Sequence, residues 1–158
     1  MKVYKLSILL ILIVIAGCVR NIETKKQTPQ DGFDLHVDAK HYLKDVRTTV
    51  HHWCKTINEK LVECLLFDSD NENANLVGIE TIVTKNIWTT FTEEQKKEWH
   101  EHATEIIEAE ATLPDTPAEE AAKIVEFLKG THGRVIYIWN FPKHEWPIAR
   151  PFLDSDKK

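Results

Sequence analysis

VHHWCKTINEKLVECLLFDSDNENANLVGIETIV, residues 50–83, is the stretch whose reading decides the fold. Its runs VHHWCK and LVECLLFD are rich in β-branched, aromatic and aliphatic residues and are separated by a segment that begins Thr56-Ile57-Asn58-Glu59. They therefore read as two strands of a hairpin with Asn58 in the turn. Asp68 to Asn73 (DSDNEN) is the next turn. ANLVGIETIV then reads as a third strand with few charges, buried on both faces, and Gly78 within it marks a bulge or a close packing neighbour.

Upstream, residues 36–47 fit a strand or a helix, and their period does not choose between the two. Downstream, Thr92 stands three residues before Gln95, a capping box, and the helix it opens is predicted to place Trp99, Ala103, Ile106 and Ile107 on one face. Thr116-Pro117-Ala118-Glu119 is a second box with Pro at the first helical position. It opens a helix that turns Ala121, Ile124, Val125 and Leu128 inward and stops at Gly130. RVIYIW, residues 134–139, is apolar at both parities and reads as a central strand, followed by an extended tail holding Pro142, Pro147 and Pro151. No internal repeat is present. Strands, then helices, then a strand, with hairpin-length connections, predict an α+β domain: a small antiparallel or mixed sheet with two main helices packed on it.

The chain of 158 residues is long enough for one domain with a real core. Its first residues address a compartment. Lys2 and Lys5 precede an aliphatic run, and Ile15-Ala16-Gly17-Cys18 closes it with small residues before a cysteine. Residues 6–19 would make only about 21 Å of helix against a hydrocarbon core of roughly 30 Å, so a permanent span fits poorly. The four residues ending in Cys18 resemble the lipobox of bacterial lipoproteins, in which the cysteine sulfur is acylated and becomes the new first residue; the alternative is a plain secretory signal. The expected division is a cleaved lipoprotein signal over 1–17, a flexible lipid-anchored tether over 18–34 and a single α+β domain over 35–158. The partner implied is a membrane reached through acylated Cys18, in the cell envelope outside the cytoplasm. Without Lys2 and Lys5 the 20 basic residues become 18 against 25 acidic, a balance of −7, which disfavours nucleic acid or anionic lipid but not a cationic ligand or metal ion.

The candidate chemistry lies in histidines and carboxylates. Neighbouring strand residues point to opposite faces, so one of His51 and His52 faces any given site. Glu80 shares the face of Leu76, Gly78 and Ile82, an apolar setting in which a carboxylate needs a cation, several donors or a proton. His100 and His102 stand two apart, about 200° on a helix, so both reach one ion only if the helix is broken there. One histidine of each pair with Glu80 makes a ligand set that Zn²⁺ and other first-row divalent ions accept, with Glu80 also suited to act as base toward a metal-activated water. No HExxH or CxxC spacing supports it. Cys54 and Cys64 are symmetric about Glu59: in a register centred there they oppose one another and can form a disulfide, and in a register shifted by one they are two buried thiols. Asp68 to Asn73 resembles the start of an EF-hand loop but has Asn73 in place of Gly at the sixth position and Ile79 in place of Glu at the twelfth, so it reads as a solvated turn. No Ser-His-Asp order, phosphate-cradling glycine run or dinucleotide fingerprint is present.

Taken in order, His51-His52-Trp53-Cys54, Asn58-Glu59, Cys64, Phe67-Asp68-Ser69-Asp70, Leu76-Val77-Gly78-Ile79-Glu80 and Trp99-His100-Glu101-His102 resemble the oil body-associated protein family, with looser agreement at His132-Gly133-Arg134 and Trp146-Pro147-Ile148. The resemblance covers most of the chain from His36 onward. It implies a compact domain, lipid-body association in the plant members and no catalytic residues to carry over. The chain departs from the pattern at the leader, at Asn75 and Thr81, where Arg and Tyr are usual, and at Ala149-Arg150, in a Gly-Pro region. Two functions follow: a lipid-anchored envelope protein with a His/Glu divalent-metal site, or a non-enzymatic lipid- or protein-binding module with structural histidines and an apolar patch near Trp146 and Phe152.

Overall fold

The computed structural model describes residues 26–148 and 150–154, so Cys18 and the leader lie outside the described residues. Residues 36–47 resolve as strand. β1 (Leu35–Leu43) turns through Lys44, at φ 58°, into the long β2 (Val46–Asn58). β2 turns at Glu59 and Lys60 into β3 (Leu61–Phe67), so Asn58, expected in the turn, is the last residue of β2, and β4 (Leu76–Thr84) follows the acidic loop. Two single helical turns, α1 (Lys85–Trp88) and α2 (Glu93–Lys96), lead to the two-residue β5 (His100–Glu101) and to α3 (His102–Glu108). The twelve-residue α4 (Ala118–Lys129), β6 (Thr131–Tyr137) and β7 (Phe152–Leu153) complete the chain.

The seven strands of the described residues pair antiparallel in one sheet of order β1-β2-β3-β4-β6-β5, with β7 on β6 as well, and the sheet curls into a half-barrel. This corrects the expected small sheet carrying two main helices. Among the described residues five long strands, β1 to β4 and β6, dominate, and only α4 is a full-length helix.

The first predicted helix fails for a visible reason. Its capping box forms, with the Gln95 amide donating to Thr92 Oγ1 at 3.2 Å and the Thr92 amide to Gln95 Oε1 at 2.9 Å. The last amides then bond three residues back, Glu98 to Gln95 and Trp99 to Lys96, and the chain leaves the helix to pair His100 with Gly133. Sheet pairing overrides helix propensity here. α4 runs where expected and stops at Gly130, but Pro117 is its N-cap and no Thr116 box forms.

The concave face buries the core: Leu43, Val50, Leu66, Val77 and Tyr137 are fully enclosed, and Leu128 closes over them from α4. Each such aliphatic side chain contributes about 1.5–3 kcal/mol. β4 is less buried than predicted, since Ile79 on the outer face is 42% exposed. A register shift opposite Leu66 and Phe67 inserts Val77 into the core and turns Leu76 outward, so Leu76 does not share the face of Glu80 as parity had placed it. The free edge of β1 is closed by residues 109–112, through Asp38 and Thr112, whose amides and carbonyls bond reciprocally at 2.9 Å.

Candidate metal centre

The convergence at Glu80 begins with strand register. Glu80 of β4 points to the concave side beside β6, where Gly133 has no side chain. Gly133 in turn pairs with His100. Because the chain is extended at residues 100 and 101, His100 and His102 both turn toward Glu80, as the helical reading had forbidden unless the helix broke. His102 Nε2 lies 3.1 Å and His100 Nε2 3.5 Å from Glu80 Oε1. A Cβ added at Gly133 would meet Glu80 Oε1, His100 Nε2 and His102 Nε2 at 2.2, 2.4 and 2.5 Å, so glycine is what lets three donors gather against bare backbone.

His52 supplies the member of its pair that faces this site, with Nε2 3.8 Å from Glu80 Oε2. Its Nδ1–H donates to the Val37 and Val50 carbonyls, both at 3.1 Å, which leaves the Nε2 lone pair facing inward. His51 does not reach it; its ring lies on the outer face of β2 beside Asp38.

Sequence reasoning missed four contributors. Glu105, one turn after His102, places Oε2 2.6 Å from His100 Nε2. Gly133 and Thr131 escaped because a missing side chain and a hydroxyl carry no ligand signal. His41, which joins Glu105 and Asp154 in a second group of possible ligands, escaped because its stretch had no assigned period.

The electrostatics couple the carboxylates to the imidazoles. Burial alone would raise the Glu80 carboxyl; contact with His100 and His102 outweighs it and holds the group well below the ordinary carboxylate range. Burial would lower His100, but Glu105 and Glu80 push it up to about 10. Burial lowers His52. His100 Nε2 makes no aligned hydrogen bond despite its ion-pair contacts. Two ligands at about 2.05 Å on a tetrahedral ion stand ~3.3 Å apart. The separations of 3.1 and 3.5 Å bracket that value, so the residues present suit a four-coordinate ion.

Glu80 and His102, with His52 and Glu105, line a cavity of about 500 Å³ on the concave face, whose walls also include Val37, Val62, Ile82, Ile106, Ile124 and Leu128. Cys54 and Cys64, opposite one another in the β2–β3 register and joined as a disulfide, line the same space. Of the apolar patch expected near the C-terminus, Trp146 is 67% exposed, whereas Phe152 packs on Tyr137 with ring centroids 5.3 Å apart.

Fold and site define a curled antiparallel-sheet domain with a carboxylate–imidazole cluster beside a largely apolar cavity. The chain belongs to the oil body-associated family: residues 27–156 match the family described as "Protein of unknown function (DUF1264)". It is 32% identical over 127 residues to oil body-associated protein 1B of Arabidopsis thaliana and 30% identical over 127 residues to oil body-associated protein 1A of Zea mays, in each case 78% of this chain and 53% of the relative. It is 26% identical over 139 residues to oil body-associated protein 2A of Zea mays, covering 87% of this chain and 54% of the relative. The chain thus spans about half the length of the curated relatives it matches. No solved structure gives a significant match.

Proposed function

We propose that this domain binds one divalent cation of the zinc class through Glu80, His100 and His102, and that the ion faces a cavity that takes a small, largely apolar ligand with an anionic head. The observation that carries the reading is the meeting of three donor atoms over Gly133, two of them from residues that line the cavity, Glu80 and His102. A volume of about 500 Å³ falls in the range of roughly 300–1,000 Å³ usual for small-molecule sites. A bound ion would supply charge to hold the head group, while the aliphatic walls hold the rest. The relatives' printed association with oil bodies agrees with an apolar ligand. Acylation of Cys18 would place the domain at a membrane of the cell envelope, and the lipobox pattern of residues 15–18 supports that placement.

Metal analysis of untagged protein tests the ion: a stoichiometric metal that Glu80→Gln removes is expected. Metal-free protein that neither takes up Zn²⁺ nor changes stability on chelation would overturn the reading. Cys18→Ser should release the protein from the membrane fraction, and unchanged fractionation would remove the anchor.

A second reading, a lipid- or partner-binding module with structural histidines, is favoured by the 2.6 Å contact of His100 with Glu105, because a protonated His100 balances charge without an ion. It predicts full stability and ligand binding in chelator.

A further inference from the structure

The outer face of the same sheet carries a second constellation that the site above does not use. His36 and Asp38 of β1 and His51 of β2 point away from the concave core, and Asp70 reaches over them from the loop after β3. Four nitrogen–oxygen separations close a ring. His36 Nε2 lies 3.0 Å from Asp38 Oδ1 and 2.9 Å from Asp70 Oδ1; His51 Nδ1 lies 2.6 and 2.8 Å from the same two oxygens.

We infer that His36, Asp38, His51 and Asp70 form a second cation site, independent of the first, for a first-row divalent ion in six-coordinate geometry.

Donors 90° apart on an ion at about 2.0–2.1 Å stand roughly 2.8–3.0 Å apart, against ~3.3 Å for tetrahedral neighbours. Three of the four separations here lie in the shorter range and the fourth is shorter still, unlike those at Glu80. The mixed imidazole and carboxylate set suits Mn²⁺, Fe²⁺, Co²⁺ or Ni²⁺ better than Ca²⁺ or Mg²⁺, which take oxygen ligands.

The first ring is held as a ligand should be. His36 is 4% exposed, stacks on Trp53 with centroids 4.5 Å and planes 3° apart, and its Nδ1–H donates to Asp115 Oδ2 at 2.7 Å. That carboxylate fixes the tautomer and leaves Nε2 facing two carboxylate oxygens, where only a proton or a cation relieves the repulsion. Asp70 is 43% exposed, and an open depression of about 340 Å³ bordered by Trp53, Phe67 and Asp70 lies beside the cluster, so water or a ligand can complete the shell. The loop that failed as an EF-hand contributes one donor here rather than a whole site.

The test is equilibrium Co²⁺ binding to the untagged full-length chain, read by metal content and visible absorption. Wild type should take two ions, one with strong four-coordinate absorption and one with the weak absorption of six-coordinate Co²⁺. Glu80→Gln should keep only the weakly absorbing ion. Asp38→Asn should remove that ion, and Asp70→Asn, at an exposed position that does not threaten folding, should weaken it at least tenfold. The proposal is overturned if wild type binds a single ion that Glu80→Gln removes and Asp70→Asn leaves alone, a result that spares the first site. One weakly absorbing ion that survives Glu80→Gln and is lost with Asp70→Asn supports the second site and counts against the first. No Co²⁺ bound at all sinks both.

Discussion

Glu80 Oε1 lies 2.2 Å from the point where a side chain at Gly133 would begin. The contact joins two neighbouring strands, β4 and β6, and makes the absence of one methyl group the condition for the whole cluster. Gly133→Ala therefore forces Glu80, His100 and His102 apart or bends β6, and overpacking of this kind costs about 1–3 kcal/mol. The expected outcome is a folded protein, less stable by that amount in urea, that loses the cation of the concave face. Retention of wild-type stability and metal content would show that the three donors do not meet there.

The disulfide between Cys54 and Cys64 closes a hairpin of sequence separation 10 in the wall of the cavity. Chain-entropy arguments give a loop of this length about 2–3 kcal/mol. Reductant, or the paired change Cys54→Ala with Cys64→Ala, should lower stability by that order, with the larger loss in the double variant because both side chains are buried. Thermal melts with and without reductant check it; the double variant should not respond to reductant.

How much of this was legible depends on which interactions are local. The β2–β3 hairpin and β6 were readable because apolar runs and turn residues are near-neighbour signals, and so was the stop of α4 at Gly130. The break at His100 was not, because it is caused by pairing with Gly133, thirty-three residues further on. The same holds for Leu76, turned outward by a register shift that no local pattern announces. Alternation placed His51 and His52 on opposite faces in advance, but which of them met Glu80 depended on the curl of the sheet, and His36 and Asp38 were unassigned while their stretch fitted helix and strand equally.

Tyr137 is fully buried, and among the described residues its hydroxyl has no hydrogen-bond partner. Burial raises its ionisation well above the usual value of 10.0, with Asp154 adding to the shift. The protonated form is the one the fold holds. Its contribution is therefore complete below the unfolded pKa of about 10 and is lost as pH rises beyond it toward the folded value. Tyr137→Phe should be neutral or mildly stabilising near neutral pH, since it removes an unsatisfied polar atom worth about 1–3 kcal/mol while keeping the ring packed on Phe152. It should also flatten the fall in stability above pH 10. Urea denaturation at pH 7 and pH 11 compares the two proteins; a large loss at pH 7 would mean that the hydroxyl is bonded in the folded state.

Thr131 sets how His102 presents itself. Its hydroxyl donates to the Leu128 carbonyl at 2.6 Å, so its oxygen is left to accept from His102 Nδ1–H at 2.8 Å. With Nδ1 committed, His102 offers Nε2 to the space shared with Glu80, where a ligand nitrogen is needed. Thr131 is a positioning residue in this scheme. Thr131→Val, nearly isosteric, removes both bonds and should weaken Zn²⁺ binding about 10–100-fold, the range usual for partners of metal-bound histidines. Loss of the buried bonds should also lower stability by about 1–3 kcal/mol in chelator. Thr131→Ser restores the hydroxyl without the methyl group and should recover most of the affinity. A Thr131→Val protein that is destabilised yet binds Zn²⁺ as tightly as wild type would reduce Thr131 to a purely structural role.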